Sequence, residues 1–212
     1  MTEKSATPQT ISAEEMAELD LRKKELRKAA KAARAHAFAA DPDAGRKVCD
    51  HVFASLALFR EADPANTVVS VYWPLGDELD PMPLLNSLHE RGFVPVLPVM
   101  EGDGKPLIFR RWAPGDELVD AGFGTREPSA DKEELFPDII LAPLLAFDSD
   151  GYRLGYGGGF YDRTLAKLRA FKQVAAIGVA YAAQEMPAVI RGPYDQPLDA
   201  IVTEEGAKLF TL

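Results

Sequence analysis

One cysteine, three histidines and nine fewer basic than acidic side chains leave this chain of 212 residues short of several things. Cys49 on its own forms no intrachain disulfide and no multi-thiolate metal site. It falls in an apolar helical pattern and reads as a buried structural thiol rather than a nucleophile. So few thiols fit a reducing compartment. The net charge of −9 excludes a broad nucleic-acid surface, which needs a basic footprint. The longest uncharged apolar runs, such as 174–183, fall far short of the ~20 residues a membrane span needs. Residues 1–10 are polar and lack a charged-then-apolar leader pattern. These absences predict a soluble cytoplasmic protein with no nucleic-acid or membrane partner, and the chain is expected to be a monomer. Residues 1–10 are expected to form a flexible tail.

What is present is an ordinary globular mixture, 47% hydrophobic and 27% charged, long enough to bury a core without metal or disulfide staples. The charge is uneven. Residues 1–40 carry 8 basic and 6 acidic side chains, and the remainder 16 and 27. Between 21 and 34 stand Arg22, Lys23, Lys24, Arg27, Lys28, Lys31 and Arg34 against Glu25 alone. This basic helix on an acidic protein is either a solvated face or a cationic element that meets a small polyanion.

Ser12 and Glu15 form a capping-box pattern that predicts a helix start, with Ile11 and Met16 placed for a hydrophobic staple. Good helix formers then run to about Phe38, and Asp41-Pro42 ends the helix. A second helix carries Val48, Val52, Phe53, Leu56 and Phe59 on one face. Strands are predicted at 68–73, 93–97, 107–112, 138–142, 174–180 and 200–203. Helices are predicted from Pro81 to Gly92 and from about Gly159 to Leu168, and 114–131 reads as an ordered loop. Strands alternating with helices predict an α/β protein, and continuous apolar strands predict a mostly parallel sheet covered on both faces. The fold class is therefore a Rossmann-like three-layer sandwich in a single domain over 1–212. Sugar-phosphate isomerases and CoA transferases share that architecture.

The most informative stretch, 147–162, lies between a predicted strand and a predicted helix, where α/β sheets place ligands. Gly155, Gly157, Gly158 and Gly159 let the backbone turn sharply and approach a ligand, and successive amides can cradle a phosphate. The start of the following helix adds its positive end. Arg153 supplies a planar, multi-donor cation, and Asp162 an oxygen ligand for a divalent cation. The loop is not a Walker A motif, because no Gly-Lys-Ser/Thr follows. Nor is it the dinucleotide fingerprint, because Phe160 stands where the third glycine belongs.

Arg153-Leu154-Gly155-Tyr156-Gly157-Gly158-Gly159-Phe160-Tyr161-Asp162 is similar to the RLGxGxGYYD loop of the 5-formyltetrahydrofolate cyclo-ligases. Four further segments resemble that family in order. Lys23 to Arg27 resembles its KxxLR element, and Tyr72 to Asp80 its strand-end segment with a substrate-binding Glu. Phe123 to Pro128 resembles its GIxEP turn, and Asp195 to Thr203 its HDxxLDxIVTE element. The resemblance implies an ATP- and Mg²⁺-dependent conversion of 5-formyltetrahydrofolate to 5,10-methenyltetrahydrofolate, with release of ADP and phosphate. Such chemistry needs positioning and charge neutralisation rather than a protein nucleophile. The chain has no reactive-looking Cys, and His36, His51 and His89 all fall within predicted helices.

By the same resemblance, Lys23 and Arg27 contact ATP phosphates together with Arg153, Leu154, Gly155, Tyr156, Gly157, Gly158, Gly159, Phe160 and Tyr161. Arg153 also stabilises the migrating phosphoryl group and is the catalytic residue. Asp162 and Asp199 are the implied Mg²⁺ ligands. Glu78 binds the pterin, and Trp73, Tyr156 and Phe160 line the folate pocket. The chain departs from the family pattern at Phe160 (Tyr in many relatives), Gly158 (Lys in some), Tyr194 (His) and Leu144 (Gly). The alternative is a non-catalytic folate-binding or regulatory module on the same fold. Retention of Lys23, Arg27, Arg153 and Asp162 favours catalysis, since a pure folate binder needs no ATP and metal site.

Overall fold

A computed structural model describes residues 12–210. The expected tail and the staple residue Ile11 lie outside them. The capping box forms as the pattern predicts: the Glu15 amide donates to Ser12 Oγ at 3.2 Å, and the Ser12 amide donates to Glu15 Oε2 at 2.8 Å. Helix α1 then runs Ala13–Ala40. Its buried residues are Ala30, Arg34 and Ala37, a narrow stripe spaced by four and three.

The predicted second helix is divided. Helix α2 spans Ala44–Ser55, Leu56 is extended, and a single turn, α3, covers Ala57–Arg60. Strand β1 (Val68–Ser70), helix α4 (Met82–Glu90) and strands β2 (Val94–Val99) and β3 (Ile108–Arg111) follow. The segment 114–131, predicted as loop, holds a small hairpin of β4 (Leu118–Asp120) and β5 (Arg126–Pro128). Strand β6 (Ile139–Pro143) leads into a tight hairpin of β7 (Ala146–Phe147) and β8 (Arg153–Leu154). Helix α5 (Phe160–Arg169) and strands β9 (Ala175–Val179), β10 (Ala200–Thr203) and β11 (Gly206–Leu209) complete the order.

The main sheet has seven strands in the order β11-β10-β9-β6-β1-β2-β3. The five inner strands are parallel, and β11 and β3 pair antiparallel at the two edges. Alternate residues serve opposite faces. Val69, Ile139, Leu141, Ile177, Val179 and Val202 pack with α2 and α4, while Val96, Ile140, Ala142, Ala176 and Ile201 pack with α5. With both faces dry, the five inner strands are apolar at nearly every position, Ser70 and Thr203 excepted, so they read as hydrophobic runs. Cys49 is buried in the α2 side of the core, where burial pushes its thiol pKa up. Helix α1 packs Ala37 into the α2 side of the core and Ala30 against Leu145, Ala146, Leu154 and Val189.

Asp148 holds the β7–β8 hairpin in shape. It is 1% exposed and accepts hydrogen bonds from the amides of Asp150, Tyr152 and Val189, each at 3.0 Å, and from Arg191 at 3.3 Å. Burial acts to raise its pKa, but these donors outweigh burial and hold the carboxyl below its ordinary value.

Candidate active site

A cavity of about 300 Å³ opens beside the carboxyl ends of β1, β2 and β6, where Trp73, Met100 and Pro143 contribute to its wall. The glycine loop, the first half of α1 and the segment 192–195 close around it. Lys23, Arg27, Trp73, Glu78 and all of 153–162 line this one cavity.

The cationic end is built from three elements. Arg153, at the start of β8, has a side chain only 4% exposed. Its guanidinium donates to the Gln196 carbonyl at 2.7 Å and to Asp162 Oδ1 at 2.9 Å. Asp162, in the first turn of α5, also accepts the Gln196 amide at 3.0 Å on the same oxygen. Arg27 donates from Nε to the Gly155 carbonyl at 2.9 Å, and Lys23 pairs with Asp195 at 2.5 Å. Gly157, at φ +107°, lets the loop pass the Arg27 guanidinium, since a Cβ there would lie 3.2 Å from its Cζ. Gly159, at φ +64°, turns the chain into α5.

The other end is aromatic and acidic. Trp73 lines the cavity and stands edge-on to Trp112, with centroids 6.4 Å apart. Glu78 is 4% exposed; its Oε2 accepts the Leu75 amide at 2.8 Å, and its Oε1 accepts the Tyr156 hydroxyl at 2.7 Å. Burial pushes the Glu78 pKa up, and the Tyr156 hydroxyl, the Leu75 amide and the Arg34 charge pull only part of the way back. Burial beside Glu78 likewise drives the Tyr156 and Tyr161 hydroxyls far above their ordinary value, so both stay protonated at neutral pH.

The 5-formyltetrahydrofolate cyclo-ligase family model matches residues 20–204, which take in every one of these side chains. The chain belongs to that family. The cyclo-ligase of Escherichia coli K12 is 37% identical over 143 residues, 64% of this chain and 76% of the relative. That of Mycolicibacterium smegmatis is 43% identical over 117 residues, 51% and 60% of the two chains. The NMR structure of the Aquifex aeolicus 5,10-methenyltetrahydrofolate synthetase aligns with a TM-score of 0.70 at 29% identity, covering 90% of this chain and 93% of that one. The Mycoplasma pneumoniae synthetase shares the fold at a TM-score of 0.63 and 24% identity, covering 86% and 98%.

One of the predicted site residues falls elsewhere. Asp199 immediately precedes β10, at the amino end of the sheet and away from the cavity. Its Oδ2 accepts the Ala176 amide at 2.6 Å and Arg169 at 3.0 Å, so it ties two strand starts together. The carboxylate of that segment that does line the cavity is Asp195, four residues earlier, which also accepts the Gly192 amide at 2.8 Å. Sequence reasoning missed Asp195 because two aspartates in one short segment look alike until the strand start is placed. It also missed Arg34, which sits on the same stripe as Arg27 at a spacing of seven. Among the described residues, no group of three or more His, Cys, Asp or Glu gathers as a metal cage, and no helix is long and apolar enough to cross a membrane.

Proposed function

We propose that this protein converts 5-formyltetrahydrofolate to 5,10-methenyltetrahydrofolate, consuming ATP with Mg²⁺ and releasing ADP and phosphate. The observation that carries this reading is the two-ended cavity. Lys23, Arg27 and Arg153 meet the glycine loop at one end, and Glu78 and Trp73 stand at the other. Polyphosphate suits the first end, where cations and a helix start converge. An amino-pyrimidine edge suits the second, where a buried carboxylate accepts N–H groups beside an aromatic wall.

In the reaction, the formyl oxygen attacks the γ-phosphorus and ADP departs. N10 then attacks the formyl carbon, and the C–O bond breaks. N10 loses its proton, and phosphate leaves with the former formyl oxygen. Arg153 neutralises charge on the transferring group, a role that needs a fixed, desolvated donor. Its double anchorage on Asp162 and the Gln196 carbonyl fixes it. Lys23 and Arg27 hold the remaining phosphate oxygens. The donor set fits Mg²⁺, a hard cation usually held by one or two carboxylates and substrate phosphates. Asp162 would hold it, with Asp195 as the second carboxylate in the cavity. A bound Mg²⁺ would neutralise phosphate charge.

The test is direct: incubate the protein with 5-formyltetrahydrofolate, ATP and Mg²⁺, and follow the absorbance of the methenyl product. ATP-dependent product formation is expected. Product without ATP, or none with it, refutes the reading and favours the non-catalytic folate-binding alternative.

A further inference from the structure

We propose that Arg34 is a positioning residue that, through the Tyr156 hydroxyl, fixes Glu78 as a charged double acceptor in the folate subsite. The proposal rests on the reading of Glu78 given above. Arg34 ends the basic stretch 21–34 but lies outside both the KxxLR segment 23–27 and the glycine loop. It is 4% exposed, between Ala30 and Ala37 on the inner stripe of α1. For stability alone, an apolar side chain would serve that stripe at least as well, because a guanidinium loses its hydration there. Its Nε indeed finds no partner. Its other nitrogens all point to one place: they donate to the Tyr156 hydroxyl and to Asp77, and stand 3.7 Å from Glu78.

The chemistry of these groups sets the direction of the chain. Arginine has donors and no acceptor. The Tyr156 oxygen therefore accepts from Arg34, and its single proton goes to Glu78 Oε1. The Leu75 amide occupies one site on Oε2. Each Glu78 oxygen keeps a lone pair for a substrate N–H, provided the carboxylate is ionised. A proton on either oxygen would turn an acceptor toward the ligand into a donor.

Ionisation is not guaranteed in this setting. Glu78 faces Asp77 on its own loop, Tyr72 beyond β1, Tyr156 on the glycine loop and Tyr161 on α5, which itself faces Arg153. Among the described residues, Arg34 is the only cation within salt-bridge distance of Glu78. Tyr156 lies between Gly155 and Gly157, so the same contact ties the Glu78 carboxylate to the glycine loop.

The experiment uses protein carrying ¹³C-labelled glutamate, with the Glu78 carboxyl resonance assigned by its loss in Glu78→Gln. In Arg34→Gln the Glu78 titration midpoint is expected to rise by about one unit or more, a tenfold or greater loss of the ionised fraction's advantage. The KM for 5-formyltetrahydrofolate should then rise at pH values below the shifted midpoint and relax toward the wild-type value above it, with the ATP KM unchanged. Arg34→Lys should restore part of the midpoint. In a Tyr156→Phe background, Arg34→Gln should do less than in the wild type. An unmoved midpoint in Arg34→Gln overturns the proposal, as does a pH-independent KM. If Arg34→Gln fails to fold, Arg34→Met supplies the same reading: a raised Glu78 midpoint supports the proposal and an unmoved one overturns it. The titration needs no turnover, so absence of methenyl product from the wild type would sink the cyclo-ligase reading separately.

Discussion

Replacing Gly157 by alanine tests the glycine loop at the point where backbone conformation and ligand-binding charge meet. Gly157 sits at φ +107°, which side chains with a Cβ rarely adopt. Holding a non-glycine residue in such a region costs about 1–3 kcal/mol. The stiffer unfolded chain gives back about 0.4–1 kcal/mol. The new methyl would also stand 3.2 Å from Arg27 Cζ and Nη2, so the guanidinium or the loop must shift. The net expectation is about 1–2 kcal/mol, a factor of about 5–30. If the loop holds its shape, that cost appears as a lower urea midpoint with an unchanged m value. If the loop yields, the 2.9 Å bond from Arg27 to the Gly155 carbonyl is lost and the cost appears as a raised ATP KM. Gly104→Ala is the control, because Gly104 lies at φ +74° with no atom within 4 Å of the added Cβ and stands outside the cavity. It should lower the urea midpoint and leave the ATP KM alone. A Gly157→Ala protein with wild-type stability and wild-type ATP KM refutes the reasoning, and so does a Gly104→Ala protein with an equally raised ATP KM.

Three further outcomes are expected. Arg153→Ala should lower kcat by about 10²-fold or more, the usual loss for a preorganised transition-state donor; near-wild-type turnover would remove Arg153 from the mechanism. Asp162→Asn should raise the Mg²⁺ concentration needed for half-maximal rate, while Asp199→Asn should leave it unchanged and lower the urea midpoint instead; the reverse pattern would restore Asp199 as a ligand. Asp148 has a native pKa below its unfolded value of about 3.9, so the native state binds fewer protons and stability rises with pH through that range. Its contribution is full above about pH 4 and is lost as the pH falls through the depressed native value. Urea midpoints from neutral to acid pH should therefore fall less steeply in Asp148→Asn than in the wild type, and parallel curves would contradict this account.

Local rules carried much of this protein. The capping box at Ser12 and Glu15, the stop after Ala40 and the apolar strands need only neighbours in sequence, and they stand close to where their patterns place them, although the strand predicted at 68–73 ends at Ser70. The glycine loop was legible for the same reason: four glycines within 155–159, an arginine before them and a helix after them are consecutive residues. Short elements were less so. Strand β11 and the β4–β5 hairpin run only three or four residues, and their polar or exposed side chains carry no strong alternation. They exist because another strand is at hand to pair with. The division between α2 and α3 is equally a matter of packing, since an apolar face continues across Leu56 although the backbone there is extended.

What the sequence determined by itself was the inventory: which cations, glycines and carboxylates are present, and that they resemble one family's motifs in order. Which carboxylate meets which cation was decided by the sheet. Asp195 and Asp199 are four residues apart, yet the start of β10 puts one at the cavity and the other at the amino end of the strands. Arg34 belongs to a helix that reads as a solvated basic face, yet its guanidinium is buried between a tyrosine of the glycine loop and two acids of the segment after β1. Such contacts join residues 43 to 122 positions apart. No periodicity reaches that far, because it is the closing of α1 over the parallel sheet that brings them together.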